Sequence, residues 1–138
     1  MRRRVLCEVL VLALLVLTAS ACGDSTPPTT PDPPPDPTTE TFSGVLTVNG
    51  AQTFPFASNP GSVTAIMAAL EPDALAVIGM AIGTWSGTTC QIILANDAAS
   101  ANAVVTGAVN AQGTLCARVY DVGRITEPVT FSVTVQHF

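Results

Sequence analysis

Val129-Thr130-Phe131-Ser132-Val133-Thr134-Val135-Gln136 is the stretch that decides the fold. Apolar and hydroxyl-bearing residues alternate through it with a period of two. A strand places successive side chains on opposite faces, so this pattern predicts one buried face and one face wetted by hydroxyls. Working back from it, residues 42–48 read as a strand, and Asn49-Gly50 reads as a hairpin-type turn leading into 52–57. That second strand sets Phe54 and Phe56 on one face, and Pro55 between them marks it as an edge or bulged strand.

The same reading gives strands over 61–70, 75–83, 90–95, 103–109 and 114–120, separated by Gly, Pro, Asn and Asp signals. Eight short strands with such punctuation predict an all-β, jelly-roll-like β-sandwich over residues 42–138. The segment 63–83 is apolar enough to resemble a membrane helix, but Glu71-Pro72-Asp73 interrupts it, and charges with a missing amide donor are costly in lipid. Two strands around a tight turn fit it better. Its alanine content weakens local strand propensity.

Ahead of the sandwich the composition changes. Seven prolines fall within residues 25–41, and nearly all the rest of that stretch is Thr, Ser, Asp or Glu. Such a segment lacks amide donors and favours extended polyproline II, at about 3.1 Å per residue. It reads as a spacer. An SH3- or WW-type ligand is the other role of proline-rich chain, and it does not suit an exported protein of this plan.

Further upstream, Arg2-Arg3-Arg4 precede the apolar run 5–17, and small residues follow in Thr18-Ala19-Ser20-Ala21. That order is the layout of a secretory signal, and the run is too short to span a bilayer comfortably. Ala19-Ser20-Ala21-Cys22 resembles the bacterial lipobox, with Ala19 standing where leucine is commoner. The resemblance implies removal of 1–21 and acylation of Cys22 by a diacylglyceryl group with palmitate-type chains, a stable membrane anchor. Gly23 rather than aspartate follows the cysteine, which by family analogy favours the outer membrane of a two-membrane cell. An ordinary signal cut near Ala21 that leaves Cys22 free is the other reading. The organisation expected is thus 1–21 signal peptide, 22–41 lipidated cysteine and linker, and 42–138 sandwich.

The chain has 138 residues, enough for one ordinary domain with extensions. Lysine is absent, and from Cys22 onward two arginines face nine acids, a formal charge of −7. Nucleic-acid affinity rests mainly on neutralising phosphates, so nucleic acid is excluded as a partner.

Of the cysteines, Cys90 and Cys116 remain in the domain after export. An oxidising compartment and their place on two strands predict a disulfide. Buried free thiols are the alternative, and a metal site lacks histidines nearby.

The residues also resemble a family. The opening Phe42-Ser43-Gly44-Val45-Leu46, then Phe54-Pro55-Phe56, the run 113–121 and the ending 128–135 are similar to the bacterial pre-peptidase C-terminal domain. The likeness spans nearly all of 42–138. It implies a jelly-roll module appended to exported proteins, with relatives that bind collagen or polysaccharide, although no peptidase accompanies the module here.

Chemistry is sparsely represented. His137 is the only histidine, beside the C-terminus, where a fraying end positions a base poorly. The pairs Glu71 with Asp73 and Asp97 with Asp121 are possible hard-cation ligands, but read more simply as solvated turns. Trp85, in Gly83-Thr84-Trp85-Ser86-Gly87, offers an indole either to stack on a sugar or to plug one end of the core. Tyr120 reads chiefly as packing, with ligand contact as its alternative. Arg118 and Arg124 are candidates to steer an anionic ligand. No catalytic set, metal or cofactor is expected. The function expected is a non-catalytic envelope lipoprotein displaying a binding or adhesion module for polysaccharide or matrix protein. The alternative is an assembly lipoprotein that packs against an envelope protein.

Overall fold

The computed structural model describes Pro33 and residues 35–138, and residues 35–138 belong to one compact unit. It contains eight strands: β1 (Thr38–Leu46), β2 (Ala51–Ser58), β3 (Gly61–Glu71), β4 (Ile78–Trp85), β5 (Cys90–Ala99), β6 (Val104–Val109), β7 (Gly113–Tyr120) and β8 (Val129–His137). One sheet runs β1-β8-β3-β6 and the other β2-β7-β4-β5, every pair antiparallel. The partners nest as β1 with β8, β2 with β7, β3 with β6 and β4 with β5. The chain is therefore one long hairpin ribbon, tipped at 86–89 and rolled over on itself: a jelly roll. Among the described residues, no helix is long and apolar enough to cross a membrane.

The alternation of β8 works as its sequence demands. Val129, Phe131, Val133 and Val135 are buried, while Thr130 and Gln136 face water. Burying each such side chain stabilises the fold by about 1.5–3 kcal/mol. Phe131 meets the edge of Phe54 at 6.0 Å, and Phe54 stacks on Phe42 at 5.1 Å, which fills the side where β1 and β2 face each other.

The alanine-rich segment forms strands for tertiary reasons. In β3 the register shifts between Met67 and Ala69, so that Val63, Ala65 and Met67, then Leu70, all point inward. Such a bulge adds one residue without losing the apolar face. In β4, Ile78, Met80 and Ile82 enter the core. Gly79, Ala81 and Gly83 face outward yet are buried. A side chain at Gly79 would collide with the Tyr120 ring, and one at Gly83 with the backbone of Gln91 on β5. Small residues are needed there because neighbouring elements lean across β4.

Four readings of the sequence need correction. Asn49-Gly50 does make a turn, with Gly50 N–H donating to Thr47 O at 2.8 Å and Asn49 at φ 56°, but β1 and β2 enter different sheets and are not a hairpin. Likewise β3 and β4 are not joined by a tight turn: residues 72–77 cross between the sheets, and β4 begins at Ile78 rather than 75. β1 starts at Thr38, inside the stretch assigned to the linker, because Thr38 to Thr41 pair with His137 to Thr134. That pairing also holds His137, which is buried and not frayed.

Strand direction sorts the loops into two poles. β1 begins opposite His137, so the chain enters the sandwich at the pole that carries 59–60, 86–89 and 110–112, the entry pole. Loops 47–50, 72–77, 100–103 and 121–128 gather at the opposite pole. Asp121 N–H donates to Gly50 O there at 3.0 Å, and Ala101 N–H to Ala74 O at 3.2 Å.

Candidate functional site

The pole opposite the entry of the chain is built around two aspartates. Asp121 Oδ1 accepts from the amides of Gly123 at 2.8 Å and Arg124 at 3.0 Å, and Oδ2 accepts from Asn49 N–H at 2.8 Å. Partial desolvation raises the pKa of this carboxyl, but the amides of Asn49, Arg124, Gly123 and Ile125 together outweigh it and hold the group below its ordinary value. Asp121 thus folds the 121–128 loop and ties it to the 47–50 turn.

Asp73 does the same for the 72–77 loop. Its Oδ1 accepts from Leu75 N–H at 2.8 Å and its carbonyl from Ala76 N–H at 3.1 Å, an Asx turn. The consequence is a hydrogen-bonded loop from which Leu75 projects with 81% of its surface exposed, more than any other large apolar residue described. Beside the two loops lies a cleft of about 200 Å³ bordered by Asp73, Val77, Arg124, Ile125, Glu127 and Pro128. Arg124 is exposed there and makes no ion pair among the described residues. Glu71, Asp73, Asp121 and Glu127 outnumber it, so the pole is acidic.

The residues singled out in the sequence are not brought to this pole as a group. Cys90 and Cys116 form a disulfide, with S–S 2.09 Å and Cα–Cα 5.9 Å. It ties β5 to β7 across the end of β4, at Gly83, which pairs with both Cys116 and Ile92. Trp85 pairs with Cys90, is partly buried and stands outside the core cluster, so the phenylalanines fill the sandwich instead. It lies at the entry pole.

Tyr120 lies across Gly79 on the outer face of its sheet and donates its hydroxyl to Asp97 Oδ1 on β5. Desolvation and that bond, with the Asp97 charge, push its pKa up to about 12. Asp97 and Asp121 are therefore each committed to a different partner, and no cluster of three metal-ligating side chains occurs among the described residues. His137 Nε2 lies 3.0 Å from Glu40 Oε1, and its ring rests 5.1 Å from that of Phe56. Arg118 is on the outer face beside Tyr120. Cys22 lies outside the described residues.

Sequence reasoning missed Leu75, which it placed in a strand. The signal was the Pro72-Asp73 pair: an aspartate that bonds the backbone two residues on makes a turn, which puts position 75 in the turn and not in a strand. It also passed over Ile92-Ile93-Leu94, whose exposure depends on β5 lying at a sheet edge.

No family model matches the chain, and no curated protein matches it. Solved structures of similar fold exist. One is PliG of Aeromonas hydrophila, a periplasmic lysozyme inhibitor of g-type lysozyme, with TM-score 0.51, 17% identity, and coverage of 70% of this chain and 83% of that one. Another is the Yersinia pseudotuberculosis-derived mitogen, with TM-score 0.51, 12% identity, and coverage of 73% and 85% respectively. At such identities the likeness is one of fold. The two neighbours are an inhibitor and a mitogen.

Proposed function

We propose that this chain is a non-catalytic binding lipoprotein of the cell envelope, acylated at Cys22, that engages a protein partner with the pole opposite the entry of the chain. The observation that carries the reading is Leu75, an exposed apolar side chain held out on a loop pinned at Asp73 and Ala74. Interface energy concentrates in a few such anchors, and a pre-ordered loop loses little entropy on binding. The acidic surround suits a basic partner surface and speeds encounter with it. PliG supports the reading in so far as a sandwich of this fold acts there as an inhibitor of another protein. In the same reading, residues 22–37 lift the sandwich off the membrane, outer by the lipobox analogy. The pre-peptidase resemblance belongs to it as a shared plan for appended exported modules. Polysaccharide is the less favoured ligand, because Trp85 sits at the entry pole.

The test places a photo-crosslinking residue at position 75, with the exposed position 112 at the other pole as control, and irradiates intact cells. A single stoichiometric protein adduct from 75 and none from 112 is expected. Leu75→Asp is expected to weaken capture by roughly 30-fold, the loss of about 2 kcal/mol typical of an anchor. Binding of glycans that survives Leu75→Asp, or no adduct from 75, would sink the reading.

A further inference from the structure

β1 and β3 both run from the entry pole to the opposite pole, and β8 lies between them, antiparallel to each. The chain enters β1 at Thr38, and β3 leads at Glu71 into the 72–77 loop that carries Leu75. In the proposed function, on which the load in the cell rests, a membrane holds the chain upstream of Thr38 and a partner holds Leu75. Tension between those two points passes from β1 through β8 to β3 and leaves at 72–77, all within one sheet.

Ladder bonds stand perpendicular to antiparallel strands, so tension along the strands loads them sideways and together. β1 is tied to β8 by 9 consecutive residue pairs, from Thr38 with His137 to Leu46 with Val129. Sliding β1 by one residue, about 3.4 Å, breaks the whole ladder and turns Phe42 and Leu46 away from the core. Leu46 is fully buried and Phe42 stacks on Phe54, so the slip also strips the core.

Peeling is a different motion. The end of β8 lies beside the start of β1, and pulling those two ends apart opens one pair at a time, beginning with Thr38 and His137. Each pair opened releases about 7 Å of chain, one residue from either strand. For a fully concerted slip, the bonding lost per ångström is therefore roughly 18 times that of peeling, which bounds the difference in force.

β1 is the link that yields. β3 pairs with β6 on its other edge as well as with β8, whereas β8 is the one strand that pairs with β1. Side chains reinforce that ladder across its width. His137 Nε2 lies 3.0 Å from Glu40 Oε1 where the load enters, and Ser43 Oγ donates to Ser132 Oγ at 3.4 Å in the middle.

We infer that the strip β1-β8-β3 is a load-bearing clamp, which keeps the sandwich folded when it is pulled between its anchor and the Leu75 pole.

The test is single-molecule force spectroscopy on the exported protein, with click-reactive residues as handles and matched loading rates. Handles at positions 36 and 75 load the strip along its strands. Handles at 36 and after Phe138 peel β1 from β8. The rupture force is expected to be at least ~2-fold higher in the first geometry, well inside the bound set by a concerted slip. Ser43→Cys with Ser132→Cys locates the yield point, because the two side chains face each other across one pair. That cross-link, confirmed by peptide mass mapping, is expected to raise the force of the first geometry further. Equal forces in the two geometries overturn the inference, and so does a first-geometry force that the cross-link leaves unchanged. Neither result bears on whether Leu75 meets a partner, because the handle takes the partner's place.

Discussion

Replacing both Cys90 and Cys116 with alanine isolates what the cross-link contributes. The bridge spans 26 residues and ties β5 to β7 with β4 between them. In the chain-entropy account, closing a loop of that size removes about 12 cal/mol/K from the unfolded ensemble, or ~3.5 kcal/mol at 25 °C. Cys116 is fully buried, so losing its sulfur costs roughly 1 kcal/mol more in packing. The double variant should therefore unfold about 4–5 kcal/mol more easily in urea. From the cross-link alone, its melting point should fall by roughly 15–25 °C. Urea titration reads this through Trp85, the only tryptophan, which pairs with Cys90. The slope against denaturant should rise, because an uncross-linked chain exposes more surface when unfolded. Amide exchange should show the 91–95 segment losing protection first, since nothing else binds the start of β5 to β7. A stability loss under about 1 kcal/mol with an unchanged slope would refute the argument, because the constraint would then be absent from the unfolded state.

Asp121→Asn should cost about 1–2 kcal/mol at neutral pH, because the new amide presents a donor to Asn49 N–H. The wild-type carboxyl has a lowered pKa, so its stabilisation is present above the ordinary value of 3.8 and is lost as pH falls through the folded value. Urea midpoints of the two proteins should converge below pH 3.8, and a constant gap would count against the bonding scheme. Cys22→Ala should move the protein from the membrane pellet to the soluble fraction; unchanged pelleting would remove the lipid anchor from the proposal.

Much of the fold was legible because the information is local. The alternation in Val129 to Gln136 is a property of neighbouring residues, and burial of Val129, Phe131, Val133 and Val135 follows once any second sheet covers them. Turn residues such as Asn49 and Gly50 mark where strands stop, since their backbone conformation is set locally. The pairing of Cys90 with Cys116 was equally accessible, there being no other two cysteines in the domain.

Other features depended on which strands became neighbours. A turn motif states that the chain reverses, not whether it returns in the same sheet, so Asn49-Gly50 and 72–77 read as hairpins and are in fact crossings between sheets. The glycines of β4 look like weak strand formers until Tyr120 and Gln91 are seen lying across them. Leu75 and Ile93 have the same apolar character as core residues; only their positions, on a pinned loop and at a sheet edge, leave them in water. Periodicity and turn chemistry act over a few residues and are written in order along the chain. Exposure is decided by elements far apart in sequence, and no run of residues specifies it until the ribbon has rolled up.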